Sequence, residues 1–155
     1  MSTLQLYGKA GSNFLGGEAS GDAFQIDYLT DTIKFTLHTS TYVPNIDTHE
    51  TFTDATNELA TANGYTAGGI TIAGKTVVYN ATGNISTFDM DDTTVTWTAT
   101  GGSLVFQYAI LRKDTGTAST SPLIGYIDCG AQTITTGNTF LITTGATGLF
   151  QGTVT

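Results

Sequence analysis

"TIKFTLHT", residues 32–39, decides how the chain is read. Ile33, Phe35 and Leu37 fall on one side and Lys34, Thr36 and His38 on the other. Successive side chains of a strand point to opposite faces, so this alternation predicts a strand with one face on a core and the other in water. "TVTWTAT" (94–100) alternates in the same way and puts Val95, Trp97 and Ala99 together. "SLVFQYAILRK" (103–113) is apolar on both faces, the pattern of a central strand covered twice. "PLIGYIDCG" (122–130) is a second strongly apolar run, and "NISTFDM" (84–90), "TFLITT" (139–144) and "GLFQGTVT" (148–155) supply further strands. Gly74 interrupts "GITIAGKTVVYN" (69–80), which predicts a turn or a bulge there. "GG" at 101–102 predicts a tight hairpin turn. Many short strands with glycine turns and no repeat of fixed period predict an all-β fold, an antiparallel β-sandwich or barrel.

Composition points the same way. The chain has 155 residues, 39% hydrophobic and 10% aromatic but only 12% charged, which suits one domain with one core. Thr makes up about one residue in five. A β-branched hydroxyl residue sits well on the wet face of a pleated sheet. With five Lys and Arg and a net charge of −8, no basic stripe can be assembled. That argues against nucleic acid and against an anionic membrane surface as partners. Like charge also keeps copies apart at high local concentration. Cys129 is the single cysteine, so no intrachain disulfide and no zinc site built on two cysteines of one chain can form. No apolar run approaches the length of a membrane span. The opening "MSTLQLYGKAGSNFLGG" has no basic stretch followed by an apolar one. Synthesis in the cytosol without a secretory leader is therefore expected, and "NAT" (80–82) and "NIS" (84–86) carry little weight as glycosylation sites.

Residues 1–22 are rich in Gly, Ala and Ser, with Leu4, Leu6, Phe14 and Leu15 scattered through them. Two readings stand side by side: a flexible N-terminal arm, ordered only against a neighbour, or a plain terminus, either frayed or a first edge strand. A single β domain is expected over 23–155. "TFTDATNELATANG" (51–64) is the segment that predicts the one short helix. Thr51 followed by Asp54 resembles a capping box, and Gly64 stands where a C-cap belongs.

Chemistry-bearing residues gather in "NIDTHETFTD" (45–54). Asp47, His49 and Glu50 offer imidazole and carboxylate ligands to a divalent metal, with His38 the other imidazole in the chain. The simpler reading is conformational: Asp47 makes an Asx-turn, and polar side chains satisfy the loop backbone. Asp89, Asp91 and Asp92 in "FDMDD" (88–92) present alternate oxygens of the kind calcium takes, without the glycine and distal glutamate of an EF-hand loop. A solvated turn is the simpler account. "GITIAGKT" (69–76) matches the phosphate-loop pattern, yet strand-like "VVYN" follows where a helix should open. No G-x-S-x-G elbow is present. Cys129 lies in an apolar strand, the setting of a small buried hydrophobe rather than a partner of His49. Carboxylates for sugar hydrolysis are spread along the chain, and Trp97 falls on a core face. No catalytic, cofactor-binding or metal residue is assigned, no cofactor is expected, and the chain is not read as an enzyme.

Several stretches taken together carry a resemblance. "DTIKFTLHTSTYVPNIDTHETFTDATNELATANGYTAGG", "FDMDDTTVTW" and "YAILRKDTGTASTSPLIGYIDCG" resemble stretches that recur in this order in small structural proteins of tailed bacteriophages, over about residues 27–150. The set comprises Pro44 with Asp47-Thr48-His49, Asn57-Glu58, Gly64-Tyr65 with Gly68-Gly69, Asp91-Asp92 ahead of Trp97, and "LIGYID". Cys129 stands where similar proteins often carry an aromatic residue, and the N-terminal extension is longer than theirs. The resemblance implies a non-enzymatic virion protein, a capsid decoration (cement) protein on the outer surface of the head. It implies the major capsid protein as partner, a homo-oligomer, most simply a trimer, and synthesis in the host cytoplasm. It carries over no catalytic residue. The alternative role is a tail or head-fibre component that contacts the host surface.

Overall fold

The computed structural model describes residues 4–16 and 24–153. Its strands are β1 (Gln5–Leu6), β2 (Ile33–His38), β3 (Ile70–Thr71), β4 (Thr76–Asn80), β5 (Ile85–Asp89), β6 (Thr96–Thr98), β7 (Leu104–Lys113), β8 (Leu123–Ile134), β9 (Thr139–Leu141) and β10 (Phe150–Thr153), with a short helix, α1 (Ala10–Phe14), and a 3-10 turn at Ala118–Thr120. A five-stranded sheet runs in the order β1-β8-β7-β2-β3, a three-stranded sheet in the order β10-β5-β4, and β6 pairs with β9. Every pairing is antiparallel. The fold is all-β, as the alternation of 32–39 and 94–100 predicts.

β7 is the central strand, flanked by β2 and β8. Phe35 faces Leu111 and Leu37 faces Ala109 across the β2–β7 pair. These side chains lie on one face with Phe106, and they pack on Val95, Trp97 and Ala99 in the main core cluster. Burying each large apolar side chain there is worth roughly 1.5–3 kcal/mol. The expected turn at Gly74 is present, between β3 and β4, and Gly74 has φ +61. Gly69 just before β3 has φ +74, and a Cβ on it would come within 1.9 Å of the Phe35 carbonyl oxygen. Only glycine lets the chain pass this close to β2.

Four expectations are corrected. The first concerns the polar face of β2, which is not in water: Thr36 and His38 are both 0% exposed. Tyr7, Tyr42, Phe52 and Ala55 cover it, in a second cluster with Tyr108, Ile110, Leu123 and Tyr126 of the sheet itself. The His38 ring takes both its bonds inside the protein, Nδ1 to the Thr56 carbonyl at 2.8 Å and Nε2 to the Thr36 hydroxyl at 2.9 Å. A carbonyl only accepts, so Nδ1 carries the proton. Burial lowers the pKa of this imidazole and keeps it neutral.

Secondly, residues 51–64 form no helix. They run as turns and isolated bridges beside β2: His38 bridges Glu58, and the Thr39 and Leu59 amides donate to the Asn57 and Leu37 carbonyls. Thr and Asn are weak helix formers. Asn57 and Asn63 take left-handed conformations, at φ 60 and 55, and bonds to β2 replace those of a helix. Gly64 serves a tight turn instead of a cap, with Ala62 bridging Tyr65. Thirdly, Gly101–Gly102 is no hairpin. β6 pairs with β9, while β7 pairs with β2 and β8, so both edges of β7 are taken and the chain crosses between sheets at this turn.

Lastly, residues 4–16 are built into the domain rather than hanging from it. β1 pairs with β8 as an edge strand. Leu4, Tyr7, Ala10 and Asn13 are buried, and Phe14 packs on Phe88 and Phe150 at 5.5 Å between ring centres. Of the two readings of this segment, the first edge strand is the one seen. Residues 1–3 and 17–22 of the expected arm lie outside the described residues.

Candidate functional site

The corner at 45–54 sits where the chain leaves β2 and returns across its covered face. Asn45, not Asp47, makes the Asx-turn: its Oδ1 accepts from the Asp47 amide at 3.1 Å and the Thr48 amide at 3.2 Å. The His49 amide closes the turn on the Asn45 carbonyl at 3.1 Å. Asn fits this role as well as Asp does, since either side chain bonds the backbone two residues on. The N-terminal segment clamps the turn from outside. The Gly8 amide donates to the Ile46 carbonyl at 2.8 Å, and Lys9 pairs with Glu50 at 3.1 Å.

His49 ends a chain of buried hydroxyls. Its Nδ1 lies 3.0 Å from the Tyr42 hydroxyl, which lies 2.6 Å from the Tyr7 hydroxyl. The Asn45 amide also points at Nδ1, at 3.4 Å. An atom that receives an amide proton is an acceptor, so Tyr42 donates to His49 and Tyr7 donates to Tyr42. Burial raises the pKa of both phenols, which keeps them protonated in their role as donors. The three rings also pack, His49 at 5.6 Å from Tyr42 and 6.4 Å from Tyr7.

Asp54 finishes the corner. Its Oδ2 accepts from the Glu50 and Thr51 amides, both at 2.9 Å. Partial burial opposes ionisation, but those amide bonds outweigh it and hold the carboxyl below its ordinary pKa. Of the capping-box pattern read from Thr51 and Asp54, the bond from the Thr51 amide to Asp54 forms, on a turn rather than a helix, while the Asp54 amide goes to the Thr51 carbonyl. Ahead of Asp54, Phe52 donates its amide to the Ser121 carbonyl, and the Glu50 carbonyl accepts from the Leu123 amide at 2.9 Å. Phe52 also lies under Arg112, with the guanidinium 3.9 Å from the ring centre. Arg112 is buried and bonds Asp114 at 2.8 Å, as Lys34 does at 2.6 Å. Burial would raise the Asp114 carboxyl, yet these two cations bring it down to about 2.

The other sequence-nominated groups are dispersed. Among the described residues, no group of three or more His, Cys, Asp or Glu converges on a point where a metal ion could sit. Asp91 accepts from the Thr93 amide and hydroxyl, at 2.9 and 2.8 Å. Asp92 accepts from the amide and the hydroxyl of Thr144, and Asp89 from the Met90 amide. Each carboxylate of that turn serves a different backbone segment. The stretch 69–76 forms β3, a turn and the start of β4, and the Lys75 ammonium donates to the Asp31 carbonyl. Cys129 packs against the main core cluster, whereas His49 packs on Tyr7 and Tyr42 of the second cluster, so no Cys–His pair is formed. Burial pushes the Cys129 thiol up to about 11. Trp97 is buried, as its alternation predicts.

One groove of about 420 Å³ opens elsewhere, lined by Leu4, Leu6, Ile127, Ile142, Leu149 and Phe150 among others. It shares no residue with the corner. Sequence reasoning did not find Tyr7 and Tyr42 as partners of His49. The two tyrosines are 35 residues apart, and no local pattern joins them. No helix among the described residues is long and apolar enough to cross a membrane. Comparison of the chain with protein-family models, with curated proteins and with solved structures gives no match.

Proposed function

We propose that this chain is a non-enzymatic virion structural protein of a bacteriophage, a capsid decoration (cement) protein that binds the outside of the head and stabilises it. The observation that supports this most directly is how the corner at 45–54 engages its polar groups. Asn45, His49 and Asp54 point at backbone amides and a buried tyrosine, so they fix the shape of a surface corner. The sequence resemblance supplies the setting: the major capsid protein as partner and a homo-oligomer, most simply a trimer, as the state. The physics of the chain suits that work. A cement protein adds contacts after the shell is built, and a pre-ordered β domain loses less entropy on docking than a loose one. A net charge of −8 limits unwanted association before docking.

Heated heads test the reading. Particles assembled without the chain should release their genome at a lower temperature than complete ones, and purified protein added back should restore the difference. Equal heat resistance with and without the chain would overturn the decoration role.

A further inference from the structure

We propose that β4 is a self-association edge, on which β4 of a second copy of this chain pairs antiparallel about a two-fold axis through Val78. β4 forms one edge of the three-stranded sheet. It pairs with β5 from Thr76↔Asp89 to Asn80↔Ile85 without a bulge, and among the described residues its backbone makes no bond on the other side. All five residues are exposed, including Val77 at 38%, Val78 at 61% and Tyr79 at 59%.

Edge strands of this kind are ordinarily blunted by a charge, a proline, a bulge, extreme shortness or a covering segment. Among the described residues, β4 has none of these. "TVVYN" carries no charge and no proline. Lys75, the flanking cation, is turned to the Asp31 carbonyl. The other sheet edges are shorter: β1 and β3 have two residues each, and β10 has four with Gly152 among them.

The occupant follows from the register. Antiparallel pairing centred on Val78 sets Val77 against Tyr79 on both sides of the axis, Thr76 against Asn80, and Val78 against itself. Aromatic against β-branched and β-branched against β-branched are favourable cross-strand pairs, and no like charges are opposed. Lys75 would face Ala81. Asp89, the acid on the neighbouring strand, lies beside Thr76, so the two copies of Asp89 fall at opposite ends of the joined sheet. In a chain of net charge −8 this uncharged strand sets no like charges against each other at the contact, and its chemistry complements itself. The result is a six-stranded sheet in the order β10-β5-β4-β4-β5-β10. This contact stands on the edge alone, independently of the virion reading, and it is distinct from any threefold contact.

Light scattering on a sizing column decides it. Free in solution, wild type should run at twice the chain mass, the trimer of the virion reading being the state on the head. Val78→Lys and Val78→Glu, each placing like charges face to face, should run as monomers, and an equimolar mixture of the two should recover the doubled mass. Val78 is exposed, so both variants should keep the wild-type circular dichroism spectrum. Should either misfold, hydrogen exchange on wild type replaces it: protection of the amides of 76–80 should rise with protein concentration. A monomeric wild type, a Val78→Lys protein that keeps the wild-type mass, a mixture that stays monomeric, or exchange at 76–80 that ignores concentration would each overturn the proposal.

Discussion

The corner at 45–54 and the strand β4 invert what their sequences suggest. The corner holds Asp47, His49, Glu50 and Asp54 within ten residues and looks like a place for chemistry. In the fold His49 turns onto two buried tyrosines and Asp54 onto backbone amides, Glu50 pairs with Lys9, and Asp47 stays exposed. β4 holds Thr, Val, Val, Tyr and Asn and looks like ordinary strand. In the fold all five residues are exposed and, among the described residues, one side of the strand has no partner. Reactive residue types thus mark a site only when their polar atoms remain available. Bland ones mark an interface when their backbone does.

The sharpest way to break this contrast is Tyr42→Ala. Tyr42 is 1% exposed and joins His49 to Tyr7, so its loss should cost about 3–5 kcal/mol in a denaturant titration. A loss under about 1 kcal/mol would mean the corner does not support the fold. Next comes Asp54→Ala, which leaves the Glu50 and Thr51 amides without an acceptor and should cost about 1–3 kcal/mol. Its pH dependence sharpens the point. Asp54 and Asp114 both have depressed pKa values in the folded protein, Asp114 at about 2. Their stabilisation is complete above the unfolded carboxylate range and is lost as pH falls through the folded values. Wild type should therefore lose stability as pH drops below about 4, and Asp54→Ala should lose less over the same interval. Identical acid limbs would remove Asp54 from the account. The smallest effect belongs to β4: Val78→Thr, measured in dilute protein, should shift stability by no more than about 0.5 kcal/mol. A larger loss would show that the edge already serves the monomer.

The strands were legible wherever the alternation was strict. Val95, Trp97 and Ala99 are all buried, as are Ile33, Phe35 and Leu37. What the sequence hides is what covers the second face. Thr36 and His38 read as solvated because their residue types are polar, yet each finds a hydrogen bond under a layer drawn from residues 42–55 and from Tyr7. Residues 51–64 read as a helix from a capping pattern that is real, since Asp54 does reach the Thr51 amide. The same contact closes a turn, and left-handed Asn57 and Asn63 prevent a helix from continuing. The polar corner was legible as structural, but not the identity of its Asx residue or its tyrosine partners, because tertiary contacts choose among Asn45 and Asp47. Gly101–Gly102 was legible as a turn and not as a crossing, because pairing partners are set by the sheet as a whole.

The most direct test of the virion reading is cryo-EM of purified particles, with the copies of this chain counted and placed. Decoration predicts copies tiling the outside of the head in proportion to the major capsid protein. Density confined to the tail or a fibre, or no copies in the particle at all, would contradict it.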